Sequence, residues 1–193
     1  MNLEILYIAL YAYLLGSIPF GLILTKLFLN KDLRTVGSGN IGATNVLRAG
    51  KKSLGFLTLV LDSLKGYITV AATYYYFTDY IYLAALMSFL GHIFPVWLKF
   101  KGGKGIAVFF GILFALSINL GIIFLICWVL ILYLTRYASV SSLVSIGIIF
   151  IYSIYLENSF EAMFFFIILI IAIYTHRENI VRLKRKTENK INL

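Results

Sequence analysis

The chain has 193 residues, 61% of them hydrophobic, with 17 basic against 8 acidic side chains and a net charge of +9. That composition excludes an ordinary soluble domain and describes an integral membrane protein, and a lone cysteine, Cys127, excludes a disulfide framework and a cysteine-based metal site. The basic residues border apolar runs, so the positive charge speaks for membrane orientation and anionic headgroups rather than for nucleic acid.

In chain order, the first span is expected from about Leu3 to Leu24. Asn2 and Glu4 precede it in place of the basic segment of a cleaved signal peptide. Gly16-Ser17-Ile18-Pro19-Phe20-Gly21 lies inside this span, where the proline removes a backbone hydrogen bond and the glycines permit close helix approach, so a kink is expected. Lys26, Lys31 and Arg34 follow, then the polar stretch 37–48 and Lys51-Lys52. A second span runs from about Ser53 to Phe77 and a third from about Tyr80 to Leu98, which leads into Lys99-Phe100-Lys101-Gly102-Gly103-Lys104-Gly105. Spans over 106–117 and 120–134 are separated by a break at Ile118-Asn119, a polar stretch covers 135–142, and a sixth span ends near Leu156. A seventh covers 160–174, and His176 to Leu193 forms a basic tail. The fold class expected is all-α, with seven transmembrane helices in one domain over 1–193 and no visible internal repeat.

Charge sets the expected topology. With seven spans, one face holds every Lys and Arg except Lys65, which lies within a span, while the other holds Glu4, Asp79, Glu157 and Glu161. The positive-inside rule then places the N-terminus outside and the C-terminus in the cytoplasm. Every glycine-rich or serine-rich polar stretch falls on the cytoplasmic face.

The stretch Gly37-Ser38-Gly39-Asn40-Ile41-Gly42-Ala43-Thr44-Asn45-Val46-Leu47-Arg48 concentrates small and polar residues in a chain of hydrocarbon. Gly37, Gly39 and Gly42 can turn backbone N–H groups toward an anion. Ser38, Asn40, Thr44 and Asn45 add hydrogen-bonding side chains, and Arg48 a planar fork for phosphate; the plain alternative is a glycine-rich connection between helices. The other polar stretches add Lys101, Gly102, Gly103, Lys104, Ser139, Ser142, His176 and Asn179, which together suit a phosphorylated ligand. His92 reads as a structural hydrogen bonder, and His176 as either catalytic or capping. Asp62 and Lys65, three residues apart inside a span, read as an ion pair supporting the loops. No Walker lysine, carboxylate cluster for metals or serine–histidine–acid grouping is evident, so an enzyme of this kind works by positioning and electrostatics.

Gly16 to Gly21, Val36 to Asn45, Leu61-Asp62-Ser63-Leu64-Lys65-Gly66, Gly91-His92-Ile93-Phe94-Pro95, Lys101 to Gly105, Arg136-Tyr137 with Ser139 and Ser142, and His176-Arg177-Glu178-Asn179-Ile180 form, in order and spacing, a pattern covering nearly the whole chain. In this pattern the chain resembles the bacterial acyl-phosphate-dependent glycerol-3-phosphate acyltransferases. The tail after Leu183 is more basic and poorer in glycine than the family pattern.

The resemblance implies a multi-pass enzyme of the bacterial inner membrane with its site facing the cytoplasm. It would move an acyl group from acyl phosphate to the 1-hydroxyl of glycerol 3-phosphate, releasing lysophosphatidic acid and inorganic phosphate for phospholipid synthesis. No cofactor or metal is implied, and the expected partners are the two substrates, membrane lipid and the enzyme that forms acyl phosphate, with no nucleic acid. Ser38, Arg48, Lys104, His176 and Asn179 carry over as catalytic residues, and Gly37, Gly39, Asn40, Gly42, Thr44, Asn45, Gly102, Gly103, Ser139 and Ser142 as substrate-binding ones. The competing reading is an organophosphate or phospholipid-precursor membrane transporter, which predicts a midplane site and repeated halves. A phosphatidyl-alcohol transferase is a weaker rival because the clustered aspartates for its metals are absent.

Overall fold

A computed structural model describes residues 3–191, and the described residues contain helices, turns and loops but no strand. Two compact units divide the chain, Met1–Leu116 and Ser117–Leu193.

The first unit holds α1 (Leu3–Gly16), α2 (Phe20–Leu29), α3 (Ala43–Arg48), α4 (Lys52–Tyr76), α5 (Ile81–Ile93) and α6 (Ile106–Leu116). Pro19 separates α1 from α2, as the sequence predicts, and Asn30 stops α2 in the left-handed conformation at φ 52°. The central helix is α4. Its 25 residues rise about 37 Å, enough to cross a hydrocarbon core of about 30 Å. It is apolar outward and polar inward: Phe56, Leu59, Val60, Leu64 and Ile68 are exposed, whereas Thr58, Asp62, Lys65, Thr69 and Thr73, spaced three or four apart, are buried. In lipid, where outward polar groups find no water, this inversion is the stable arrangement. The threonines satisfy themselves: Thr58, Thr69 and Thr73 each donate to the carbonyl four residues back at 2.7 Å.

Close backbone approach fixes how the helices cross α4 and α5. Side chains at Gly16 and Gly91 would collide with the carbonyl oxygens of Ser88 and Tyr13 where α1 packs on α5, and one at Gly111 would collide with the Ser63 carbonyl where α6 packs on α4.

The second unit holds α7 (Ile118–Thr135), α8 (Ala138–Tyr155), α9 (Ser159–Thr175) and α10 (Arg177–Lys184). Arg136, at φ 62°, caps α7, and Asn158 caps α9 by accepting the Glu161 N–H at 3.1 Å. α8 packs on both α7 and α9, and α10 bends away from α9 by 60°.

Five helical segments are long and apolar enough to cross a membrane: Leu3–Leu29, Lys52–Tyr76, Thr78–Leu98, Ile118–Thr135 and Ala138–Tyr155. The α9–α10 pair makes a sixth if its two helices count as one span, and Ile106–Leu116 is apolar but shorter. The expected break at Ile118-Asn119 lies instead at Ser117, an extended residue at φ −161°, and both Ile118 and Asn119 are helical. Nor are all the polar stretches loops. Thr44, Asn45 and Arg48 belong to α3, Ser139 and Ser142 to the start of α8, and Asn179 to α10.

Candidate functional site

In the first unit, the polar stretch 37–48 is assembled around one amide. Asp32 caps a short 3-10 turn over Leu33–Thr35 by accepting the Arg34 N–H, and its carboxylate pairs with the Arg34 guanidinium at 2.6 Å. That guanidinium holds the Asp32 carboxyl far below the usual carboxylate range. Gly37 and Gly39 then turn the chain at φ 57° and 69°, values that favour glycine. Buried inside the loop, Asn45 accepts the Ser38 N–H at 3.0 Å and shares its two amide hydrogens among the carbonyls of Leu33, Val36 and Asn40, which lie 3.1, 2.9 and 2.7 Å from Nδ2. Asn40 in turn accepts the Gly42 N–H at 2.8 Å, and Gly39 donates to Val36 at 3.0 Å.

This arrangement corrects one expectation. The N–H groups of Ser38, Gly39 and Gly42 bond within the loop, so they form its frame; what the frame presents outward is the exposed Ser38 side chain, the half-buried Thr44 and the exposed Arg48.

The second basic stretch folds back on the end of α5. Lys99 and Phe100 both take left-handed φ values, 52° and 61°, to reverse the chain. Gly102 and Gly103 then donate their N–H groups to the carbonyls of Ile93 and His92 at 2.9 and 3.0 Å. These two glycines therefore position the backbone. They deliver Lys104, which is half-buried, while Lys99 and Lys101 are exposed.

Below this loop, Asp62, Lys65 and His92 form a buried group. Lys65 Nζ lies 2.8 Å from Asp62 Oδ1 and 3.0 Å from His92 Nδ1, and donates to the Ile18 carbonyl at 2.6 Å. The ion pair expected from spacing is present, and His92 is its third member.

In the second unit, a carboxylate gathers the polar groups. Glu188 accepts from Asn179 Nδ2 at 2.6 Å, from Ser139 Oγ at 3.2 Å and from Arg182 Nε at 2.7 Å. Burial pushes the Glu188 carboxyl up, but the hydrogen bonds from Arg182, Asn179 and Ser139 outweigh it and hold the group below its ordinary value. Ser142 donates to the Ala138 carbonyl at 2.8 Å and accepts the Trp128 indole N–H at 3.1 Å. His176 is buried at the α9–α10 bend and its Nδ1 donates to the Ala172 carbonyl at 2.8 Å, so Nδ1 carries a hydrogen.

A family model described as glycerol-3-phosphate acyltransferase matches residues 6–186. The chain belongs to the glycerol-3-phosphate acyltransferase family. A glycerol-3-phosphate acyltransferase of Pelagibacter ubique (strain HTCC1062) is 52% identical over 191 residues, covering 99% of this chain and 100% of the relative. One of Rhodopseudomonas palustris (strain BisB5) is 48% identical over 189 residues, with 96% of each chain covered. Among solved structures, the glycerol 3-phosphate form of PlsY (YgiH), described as an integral membrane glycerol 3-phosphate acyltransferase, aligns with a TM-score of 0.92 at 38% identity, covering 98% of this chain and 96% of that one. Its lysophosphatidic acid form aligns with a TM-score of 0.89 at 36% identity, with the same coverage.

The acyltransferase reading therefore stands and the transporter reading falls. Within the first unit, this acyltransferase brings Gly37, Ser38, Gly39, Asn40, Gly42, Thr44, Asn45 and Arg48 into one folded element and anchors Gly102 and Gly103, the residues just before Lys104, on α5. Within the second, it joins Ser139 and Asn179 through Glu188, with His176 and Ser142 held by main-chain carbonyls. Sequence reasoning missed Glu188. Its signal is an isolated acid among Arg182, Lys184, Arg185, Lys186 and Lys190. The same tail, whose role the sequence left open, returns to the start of α8, where the Ile191 N–H donates to the Arg136 carbonyl at 2.8 Å. Among the described residues no group of three or more His, Cys, Asp and Glu could hold a metal ion.

Proposed function

We propose that this chain transfers a fatty acyl group from acyl phosphate to the 1-hydroxyl of glycerol 3-phosphate, working as one acyltransferase domain over residues 1–193. The hydroxyl oxygen attacks the acyl carbonyl, the bond between that carbon and the bridging phosphate oxygen breaks, and inorganic phosphate leaves with the electron pair and takes the hydroxyl proton. Acyl phosphate is a mixed anhydride with a good leaving group, so the protein must chiefly hold two anions together and aim one at the other. What supports the reading is that Ser38 and Arg48 are presented outward from a loop braced internally by Asn45, in a chain whose relatives are named glycerol-3-phosphate acyltransferases.

In this reading Ser38, with Thr44, hydrogen-bonds the acyl-phosphate head and the oxyanion that develops on its carbonyl. Arg48 and Lys104 offset the charge of the phosphates, Arg48 through its two-pronged guanidinium. Ser142 and Asn179 contact glycerol 3-phosphate, and His176, its Nδ1 hydrogen already committed to Ala172, offers Nε2 to the substrate. Gly37, Gly39, Asn40, Gly42, Asn45, Gly102 and Gly103 shape the binding elements, and Ser139 acts through Glu188.

The topology follows the charges: seven passes of the bacterial inner membrane, the N-terminus outside, and both the C-terminus and the site facing the cytoplasm, where the enzyme that forms acyl phosphate supplies the donor. The test is purified protein given acyl phosphate and glycerol 3-phosphate, with lysophosphatidic acid and inorganic phosphate measured. Equal amounts of both are expected, with no product from acyl-CoA and no loss on adding a chelator. Equal rates with acyl-CoA, or abolition by the chelator, would show the wrong donor or mechanism.

A further inference from the structure

Lys65 Nζ hydrogen-bonds the Ile18 carbonyl at 2.6 Å and His92 Nδ1 at 3.0 Å, and forms an ion pair with Asp62 Oδ1 at 2.8 Å. An ammonium carries only hydrogens and no lone pair, so the bond to His92 requires Nδ1 to accept. A neutral imidazole whose Nδ1 accepts carries its hydrogen on Nε2. Asp62 Oδ1 cannot supply the alternative, since it lies 3.8 Å from His92 Nδ1, beyond hydrogen-bond reach.

The Nε2 side of the ring faces the basic loop. A side chain on Gly103 would overlap Nε2 itself, and the His92 and Ile93 carbonyls receive the Gly103 and Gly102 N–H groups. On its other side, the group reaches the break between α1 and α2: Lys65 holds the Ile18 carbonyl and the Trp97 indole N–H holds the Ser17 carbonyl at 2.9 Å. A charge buried in a membrane-spanning helix is costly and is retained only for a reason.

We infer that Asp62 and Lys65 are positioning residues for the acyltransfer: they fix the His92 imidazole in its Nε2–H form, and that ring sets the Gly102–Gly103 backbone from which Lys104 is presented. The inference rests on the proposed placement of Lys104 in the site. Asp62 orients Lys65, Lys65 selects the tautomer, and His92 fills the space that only a glycine at 103 leaves open. None of the three touches substrate.

A purely structural ion pair makes a different forecast, because a buried pair can be replaced together by apolar residues of similar size with little loss of stability. The test is therefore the double variant Asp62→Leu/Lys65→Met, compared with the parent in thermal midpoint, in kcat and KM for glycerol 3-phosphate, and in the 15N spectrum of histidine-labelled protein. His92→Asn assigns the His92 signals, and His176, with hydrogen on Nδ1, is the internal contrast. In the parent, His92 should show a pyrrole-type Nε2 and a pyridine-type Nδ1. The double variant should fold, lose that fixed tautomer, and fall by about tenfold or more in kcat/KM, mainly through KM. A folded double variant with the parental tautomer or parental kcat/KM would overturn the inference.

Should the double variant not fold, His92→Asn decides. Its amide oxygen can still accept from Lys65 while the Nε2 group is gone, so a raised KM is expected and a parental KM overturns the inference. Lys104→Ala is measured alongside: no change there would remove Lys104 from the site, a failure of the proposed function that leaves the tautomer readout to judge the role of Lys65.

Discussion

The side-chain oxygen of Asn45 accepts the backbone N–H of Ser38 at 3.0 Å, tying a buried residue of α3 to the exposed serine seven positions earlier. The two hydrogens of the same amide are shared among three carbonyls, so one side chain does for this loop what a strand partner would do elsewhere. Asn45→Ala strands these groups in a buried setting and should cost at least about 2 kcal/mol, given roughly 1–3 kcal/mol for each buried group left unsatisfied. Asn45→Asp should be no better, because a carboxylate has no hydrogen for the carbonyls of Leu33, Val36 and Asn40. Thermal unfolding in detergent beside activity would check both; a parental midpoint and rate for Asn45→Ala would contradict the brace.

Glu188 predicts a pH response. Its folded carboxyl is held below its ordinary value, so the stability it contributes is complete above the ordinary carboxylate range and is lost as pH falls through the folded value. Glu188→Gln removes the charge that Arg182 and Asn179 grip and should cost about 1.5–3 kcal/mol near neutral pH. On acidification the gap in thermal midpoint between parent and variant should narrow. A gap that stays constant through the carboxylate range would mean that the ionised form contributes nothing.

Gly111 and Gly147 separate close approach from mere flexibility. A methyl at Gly111 would meet the Ser63 carbonyl across the α4–α6 contact, whereas nothing lies within 4 Å of one at Gly147. Gly111→Ala should destabilise by about 1–3 kcal/mol or more through overpacking. Gly147→Ala, in the interior of α8, should be neutral or stabilise by about 0.5–1 kcal/mol. Equal midpoints for the two variants would argue against the tight crossing.

Arg48 tests whether the loop grips phosphate. Arg48→Lys keeps the charge but loses the two-pronged donor, so kcat/KM should fall by about 10- to 100-fold, the equivalent of one charge-assisted hydrogen bond of about 1.5–3 kcal/mol. Lys99→Ala, at an exposed lysine ahead of the glycines, should stay close to the parent. An unchanged Arg48→Lys would reduce the arginine to a topology charge.

Much of this was legible in the sequence because it depends on local chemistry. Apolar runs long enough for a bilayer dictate helices, Pro19 dictates the break, and a lysine three residues from an aspartate within such a run has few partners but that aspartate. Glycines flanked by serine, threonine and basic residues mark where polar chemistry collects. The sequence could not say which N–H groups in those loops are already bonded, because that depends on where Asn45 and the α5 carbonyls lie in space. Nor could it reveal Glu188, nine residues from Asn179 and 49 from Ser139, since a carboxylate in a basic tail reads as solvated until the chain folds it back onto those partners. The group made by Asp62, Lys65 and His92 has the same origin: spacing identifies the pair on one helix, but the third member comes from α5, and only packing brings an imidazole 27 residues away within 3.0 Å of the ammonium.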